Sequence, residues 1–85
     1  MFYVYILKSV KDKNLYIGYT ADLRKRLAEH NSGLSRSTKS RAPLHLVYYE
    51  AYASQTEAKH REENLKLHGR ARSQLFRRIR QSLKT

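Results

Sequence analysis

The chain has no cysteine and no tryptophan, and its 85 residues include only three glycines and one proline. Without thiols it can form neither a disulfide framework nor a cysteine-based zinc site, and we expect a reduced, cytoplasmic setting. No apolar run is long enough to span a bilayer, and the first residues lack the basic leader and cleavage site of a secretory signal. We expect residues 1–85 to form one domain with one modest core.

Acidic residues are also scarce, since seven Asp and Glu face 18 Lys and Arg and leave a net charge of +11. Such a field attracts polyanions and favours counterion release from nucleic acid, which is therefore the first partner to consider. An anionic membrane would feel the same field. The basic residues, however, are spread over the chain rather than gathered on one amphipathic helix, so membrane binding is the weaker alternative.

The N-terminal third has the pattern of a hairpin followed by a helix. Residues 2–8 and 15–20 are rich in Tyr, Val and Ile, and the polar residues between them indicate a turn. A cap at Thr20 or Asp22 predicts a helix that runs to about Asn31, where Asn-Ser-Gly supplies a stop.

The rest of the chain predicts one more strand and two helices. Residues 32–43 have no usable periodicity and are expected to form a mobile loop. Residues 44–52 have apolar or aromatic side chains on both alternating faces, which indicates a central strand. A capping box at 54–57 predicts a helix to about His68, and a last helix over about 70–83 is basic on one side. The order is strand, strand, helix, strand, helix, helix.

Tyrosines are abundant, and two of them fall on facing positions of the predicted hairpin. Alternation puts Tyr5 on one face of the first strand and Tyr16 and Gly18 on one face of the second, so the two phenols could approach each other. Gly18 would leave the strand end open to the close approach of a ligand. Aromatic residues beside basic ones also suit base stacking, so this pattern does not separate a nuclease from a single-strand binder.

In the first predicted helix, Arg26 and His30 flank the apolar stripe of Leu23 and Leu27. A guanidinium there could contact a phosphate through two hydrogen bonds in partial shelter from water. From periodicity alone, the simpler interpretation is favoured, in which Arg26 snorkels to the surface and His30 is a satisfied boundary residue.

Glu62 falls on the inner face of the second predicted helix, between Ala58 and Leu65. A carboxylate in that position is costly unless it is paired or bound to a metal. The structural alternative is an ion pair with Arg26 or Arg61.

Taken in order, these residues resemble the GIY-YIG endonuclease family, in particular its small stand-alone bacterial members. Residues 4–6, Val-Tyr-Ile, stand for the first signature tripeptide with Val in place of Gly, and residues 16–18, Tyr-Ile-Gly, match the second. Arg26 falls where the family has its catalytic arginine, His30 matches the histidine one turn later, and Glu62 matches the metal-binding glutamate. The resemblance covers most of the chain.

The resemblance implies an α+β fold with a three-stranded antiparallel sheet flanked by helices, and metal-dependent hydrolysis of phosphodiester bonds. Glu62 would hold Mg²⁺ or Mn²⁺, and Arg26 would stabilise the charge that develops on the phosphate. Tyr5 or Tyr16 would orient or deprotonate the attacking water, while His30 would position the phosphate or a tyrosine hydroxyl. The expected substrate is DNA, with RNA as the alternative, at low sequence specificity. A protein partner and the oligomeric state stay open.

Outside this set, five basic residues are expected to hold phosphates: Arg36, Lys39, Arg41, Arg72 and Arg77. The same residues, with tyrosines stacking on bases, would equally serve a non-catalytic nucleic-acid-binding module. The inward positions of Arg26 and Glu62 favour the enzyme. A third alternative, a basic protein-interaction domain, predicts an exposed apolar patch.

Overall fold

The computed structural model describes all residues, 1–85, and has the predicted α+β order of elements. The elements are β1 (Phe2–Ser9), β2 (Leu15–Thr20), α1 (Leu23–Asn31), a short 3₁₀ helix (Lys39–Arg41), β3 (Leu44–Tyr52), α2 (Gln55–Leu67), α3 (Gly69–Arg78) and α4 (Arg80–Leu83). The predicted last helix is therefore divided in two at Ile79. None of the helices combines the length and the apolar character that crossing a bilayer would need.

The three strands form an antiparallel sheet in the order β2-β1-β3, so β1 is the central strand. The prediction that residues 44–52 form the central strand is wrong. Leu44 and Leu46 of β3 pack with the core on the α1 side of the sheet, while Val47 and Tyr48 pack with the core on the other side. A strand with both faces covered is apolar on both sides whether it lies at the centre or at the edge of the sheet, because edge pairing uses the backbone and not the side chains.

Both faces of β1 are buried, and its alternation divides the hydrophobic core into two layers. Tyr5 and Leu7 point to the side covered by α1, where Leu23 and Leu27 pack against them. Val4 and Ile6 point to the opposite side and pack against buried residues of α2 and α3, namely Ala58, Leu65 and Leu75. The central strand thus holds helices on both faces of the sheet in fixed positions.

A cluster of hydrogen bonds around the carboxylate of Glu50 joins β3 to α2. Arg61 donates to both oxygens of Glu50, with Nε–Oε1 at 3.0 Å and Nη2–Oε2 at 3.1 Å. The hydroxyls of Tyr48 and Tyr52 also donate to this carboxylate, one to each oxygen. Burial alone would raise the pKa of Glu50, but these bonds from Arg61 and the two phenols lower it overall. Arg61 is therefore committed to a structural ion pair.

The caps predicted for the first two helices are present. Asp22 Oδ1 accepts the Lys25 N–H at 3.1 Å, and Ser54 Oγ accepts the Glu57 N–H at 3.2 Å. The segment predicted as a mobile loop is instead packed against the domain, since Ser35 and Thr38 are buried. Local hydrogen bonding by serine and threonine has no periodicity, so the sequence pattern could not reveal this order.

Candidate active site

A fully buried chain of hydrogen bonds links β1, α1 and the loop before β3. The Tyr5 hydroxyl lies 2.9 Å from His30 Nε2, and His30 Nδ1 lies 2.6 Å from Thr38 Oγ1. Tyr5 is 1% exposed, and His30 and Thr38 are 0% exposed. His30 is therefore an interior residue that holds a tyrosine hydroxyl, rather than a boundary residue.

Burial keeps both the Tyr5 phenol and the His30 imidazole neutral at pH 7. Burial, followed by the proximity of Tyr16, raises the pKa of Tyr5 to about 12. Burial, followed by the positive charge of Arg26, lowers the pKa of His30 from 6.5. A neutral imidazole donates through one nitrogen and accepts through the other. Because the phenol is the more acidic hydroxyl, we infer that Tyr5 donates to Nε2 and that Nδ1–H donates to Thr38.

Tyr16, on edge strand β2, lies next to the hydrogen-bonded series of Tyr5, His30 and Thr38. Its ring centroid is 5.0 Å from that of His30 and 6.3 Å from that of Tyr5. Unlike Tyr5, it is only partly buried, and its hydroxyl accepts a hydrogen bond from Ser37 Oγ at 3.4 Å. The predicted approach of the two phenols is thus present, and Tyr16 is the one that solvent can reach.

Gly18 admits the Tyr5 ring. The two residues are register partners on β2 and β1, and a Cβ added at Gly18 would overlap the Cζ and Oη atoms of Tyr5. The expectation that Gly18 opens the strand to a ligand is therefore wrong, because a protein side chain fills that space. The glycine instead lets Tyr5 lie flat against the neighbouring strand and reach His30.

Arg26 lies beside the tyrosines with its side chain 32% exposed. Its Nη1 is 3.0 Å from Glu29 Oε1, and its Nη2 donates to Ser35 Oγ at 3.2 Å. Ser35 Oγ is in turn 3.3 Å from Ser37 Oγ, the group that contacts Tyr16. Hydrogen bonding to Glu29 is the largest of the effects that raise the pKa of Arg26. The guanidinium is thus a fixed, partly exposed cation at the mouth of the site.

Glu62 also faces the tyrosines, from α2. Its Oε2 lies 3.0 Å from Lys66 Nζ, one turn later, and that Nζ is 5.8 Å from the centre of the Tyr16 ring. Its negative charge contributes to the raised pKa of Tyr5. The ion pair expected with Arg26 or Arg61 is not formed, because those arginines pair with glutamates of α1 and β3.

The donor set around Glu62 limits what kind of metal could bind. No group of three or more His, Cys, Asp or Glu side chains is close enough together to hold an ion. Mg²⁺ commonly binds through one or two carboxylates and completes its shell with waters and substrate phosphate oxygens. Glu62 fits such a substrate-completed site, in which the protein supplies a single carboxylate.

The five basic residues predicted to bind phosphates fall into two groups. Arg36, Lys39 and Arg77 are exposed. Arg41 pairs with an aspartate of the β1–β2 turn at 3.2 Å, and Arg72 donates to carbonyls at the end of α2 at 3.1 Å. Phosphate binding by these residues stays a prediction, and three of the five have side chains free to engage a ligand.

Sequence reasoning missed the groups that support the site. Lys66 could have been found, because residues four apart on a helix are neighbours and a Glu–Lys pair at that spacing is favourable. Thr38, Ser35 and Ser37 could not, because they lie in a segment without periodicity. Only the three-dimensional packing of that segment brings their hydroxyls to the imidazole, the guanidinium and the phenol.

Comparison with known proteins gives one consistent result. Residues 1–76 match the model of the GIY-YIG catalytic domain. A UPF0213 protein of Staphylococcus haemolyticus is 46% identical over 69 residues, covering 80% of this chain and 83% of its own. A UPF0213 protein of Bacillus pumilus is 43% identical over 75 residues, covering 87% and 76%. The solution NMR structure of a UPF0213 protein from Bacillus halodurans has a TM-score of 0.54 and 41% identity, covering 88% of this chain and 82% of that one.

Proposed function

This chain belongs to the GIY-YIG family, and from that membership we propose that residues 1–85 form a metal-dependent endonuclease domain that hydrolyses phosphodiester bonds, with DNA as the first candidate substrate. The observation that carries the proposal is the convergence of different chemical groups around Tyr16. A buried imidazole lies 5.0 Å from its ring, and the ammonium paired with Glu62 lies 5.8 Å from it. The Arg26 guanidinium is linked to the Tyr16 hydroxyl by hydrogen bonds through Ser35 and Ser37. In phosphoryl transfer a phenol can orient a water, a guanidinium can stabilise charge on the phosphate, and a carboxylate can hold a divalent ion.

Tyr16, rather than Tyr5, is the phenol that meets the attacking water. Tyr5 is 1% exposed and its pKa is raised to about 12 by burial, so it stays protonated and out of contact with substrate. Tyr16 is partly exposed on an edge strand. Its Oη would orient the attacking water by accepting a hydrogen bond from it. As the new O–P bond forms and the bond to the leaving oxygen breaks, the water gives up a proton to solvent and the leaving oxygen takes one from solvent. Tyr5 and His30 hold the Tyr16 ring in place from below.

Arg26 supplies positive charge to the phosphate. Two hydrogen bonds, to Glu29 and Ser35, fix its guanidinium while leaving about a third of the side chain exposed. A preorganised donor is worth more in the transition state than a mobile one, because no reorientation accompanies the reaction. His30 does not share this task, since it is buried and its pKa is lowered by burial.

Glu62 is the residue that would hold a divalent ion. Such an ion, Mg²⁺ or Mn²⁺, would supply charge stabilisation to the phosphate and the leaving oxygen. Lys66 would have to release its 3.0 Å contact with the carboxylate, and its ammonium would then be free to contact the substrate backbone. The ion pair with Lys66 fixes the position of the Glu62 carboxylate beside Tyr16.

A non-catalytic nucleic-acid-binding module is the second candidate, and the exposed Arg36, Lys39 and Arg77 favour it. Such a protein would bind through phosphate neutralisation, with affinity that falls steeply with salt. It would not need Glu62, because a carboxylate repels a phosphate backbone. The two candidates therefore differ in what substitution of Glu62 does.

Cleavage assays with matched variants test the proposal. The chain is incubated with single-stranded, duplex and branched DNA and RNA, with and without Mg²⁺ or Mn²⁺. We expect Arg26→Ala to lower the cleavage rate by about 100-fold or more, as loss of a transition-state donor does. Tyr16→Phe, which removes the water's acceptor, and Glu62→Gln, which removes the metal ligand, should lower it as well. Arg80→Ala and Glu63→Gln change the same charges at exposed positions and are the controls.

Two results would reject the proposed site. Cleavage that persists in both Arg26→Ala and Glu62→Gln would show that the activity lies elsewhere. Absence of cleavage on every substrate, with salt-dependent binding that survives both substitutions, would leave the binding module as the function.

A further inference from the structure

An open groove of about 410 Å³ lies on the α1 side of the sheet, away from Tyr16. Its floor is formed by the rings of Tyr3 and Tyr49, whose centroids are 5.9 Å apart in an edge-to-face arrangement. Leu23 and Leu27 of α1 form one wall, and Arg24 lies at the rim. The volume falls within the range of about 300–1,000 Å³ that is usual for small-molecule sites.

Core packing does not account for the two tyrosines of the floor. Tyr49 is 52% exposed, and neither its hydroxyl nor that of Tyr3 makes a hydrogen bond within the protein. By contrast, Tyr48 and Tyr52 on the same strand donate to Glu50. A pair of rings without internal hydrogen-bond partners, of which Tyr49 is exposed and Tyr3 partly buried, offers a ligand an aromatic surface on a rigid sheet.

The groove is connected to the proposed active site through both the sheet and α1. Tyr49 and Tyr5 are register partners on adjacent strands, which lie about 4.8 Å apart. Arg24 and Arg26 are two residues apart on α1, so their side chains leave the helix in directions that differ by about 200°. Arg26 faces the tyrosine site, Arg24 faces the groove, and Lys25 is exposed between them.

We propose that this groove holds an unpaired base of the nucleic acid that the Tyr16–Arg26 site cleaves, so that the substrate has a single-stranded segment; this rests on the proposed function. The net charge of +11 draws a polyanion to the protein. The strand would cross the outer face of α1 with phosphates near Lys25 and Arg24. The base would stack on Tyr49, because the groove is largely apolar and its one carboxylate, on Asp22, disfavours a phosphate inside it.

Binding measurements in EDTA test this inference without depending on cleavage. The probes are a DNA duplex with a single-stranded tail and the same duplex fully paired, each followed by fluorescence anisotropy. Loss of one stacking contact between a base and an aromatic side chain should weaken binding about tenfold, which corresponds to about 1.4 kcal/mol. We expect Tyr49→Leu to weaken binding of the tailed duplex about tenfold while binding of the paired duplex stays unchanged. Tyr49→Phe, which keeps the ring, should bind both as wild type does.

The outcomes separate the groove from the active site. Equal affinity of wild type and Tyr49→Leu for the tailed duplex, equal losses on both probes, or no binding of either probe would overturn the inference. If wild type and Tyr49→Leu bind the tailed duplex equally, an apolar peptide is the remaining candidate ligand of the groove. A tail-specific loss in Tyr49→Leu, together with cleavage that Arg26→Ala does not reduce, would uphold base binding while rejecting the proposed catalytic site.

Discussion

The Thr38 hydroxyl is the end of the buried chain that begins at Tyr5, and removing it should destabilise the fold. Thr38→Val keeps the shape of the side chain but deletes the partner of His30 Nδ1, which lies 2.6 Å away at a site with 0% exposure. A buried polar group left without a partner costs about 1–3 kcal/mol. In a domain of 60–100 residues, each 1 kcal/mol lowers the melting temperature by about 4–8 °C. We therefore expect a decrease of at least about 4 °C.

Thermal unfolding followed by circular dichroism measures this effect, and two variants control it. Thr56→Val makes the same chemical change at an exposed position of α2 and should stay within about 0.5 kcal/mol of wild type. Thr38→Ser keeps the hydroxyl and should recover most of the loss in Thr38→Val. A melting temperature of Thr38→Val equal to that of Thr56→Val would refute the reasoning.

Nitrogen chemical shifts of His30 provide a second, independent measurement on the same protein. Because we infer that Tyr5 donates to Nε2, wild type and Thr38→Ser should carry the imidazole proton on Nδ1 at pH 7. Thr38→Val removes the acceptor for that proton and should shift the tautomer toward Nε2–H. A wild-type His30 that is doubly protonated at pH 7 would contradict the neutral chain.

Three further predictions follow from the same geometry. Gly18→Ala should displace the Tyr5 ring, since the added Cβ would overlap it, and should lower the melting temperature and abolish cleavage together. The pKa of His30 is lower in the folded protein than the 6.5 of the unfolded chain, so the unfolded state binds more protons between these two pKa values. The contribution of His30 to the free energy of unfolding should therefore be constant above about pH 6.5 and should decrease below it. Urea unfolding measures this, and His30→Gln should remove the decrease. Lys66→Met should raise the affinity of Glu62 for Mn²⁺ at least about twofold in calorimetry without substrate, because a competing cation is lost; unchanged affinity would place the ion elsewhere.

The features that the sequence predicted correctly are those encoded in short-range periodicity. Alternation along the first two strands placed Tyr5 and Tyr16 on one face, and the caps at Asp22 and Ser54 located two helix starts. The position of β3 in the sheet was wrong because residue pattern reports whether a face is covered and not what covers it. Strand order is set by pairing between residues far apart in the sequence, and the residue pattern of a single strand carries no information about that pairing.

The sequence predicts helices and strands better than it predicts which polar side chains pair, because many pairings are compatible with one sequence. The sequence places Glu62 on the inner face of α2, and its side chain is 23% exposed, but its partner is Lys66 rather than Arg26 or Arg61. In a chain with 18 basic residues, many cations can reach a given carboxylate, and only the fold chooses among them. Glu50 shows the same limitation, because its three donors come from both β3 and α2.

Under the proposed function, burial of the imidazole leaves phosphate recognition to Arg26 rather than to His30. A histidinium could hold a phosphate, but His30 has 0% exposure and a pKa lowered first by burial and then by Arg26. The guanidinium, by contrast, keeps its charge at any pH at which the protein is folded. Affinity for nucleic acid should therefore vary with pH between 6.5 and 8 in the same way in wild type and in His30→Gln, provided that the variant is folded. Anisotropy titrations in EDTA measure this, and affinity that rises in wild type alone as the pH falls toward 6.5 would place His30 in direct contact with the phosphate.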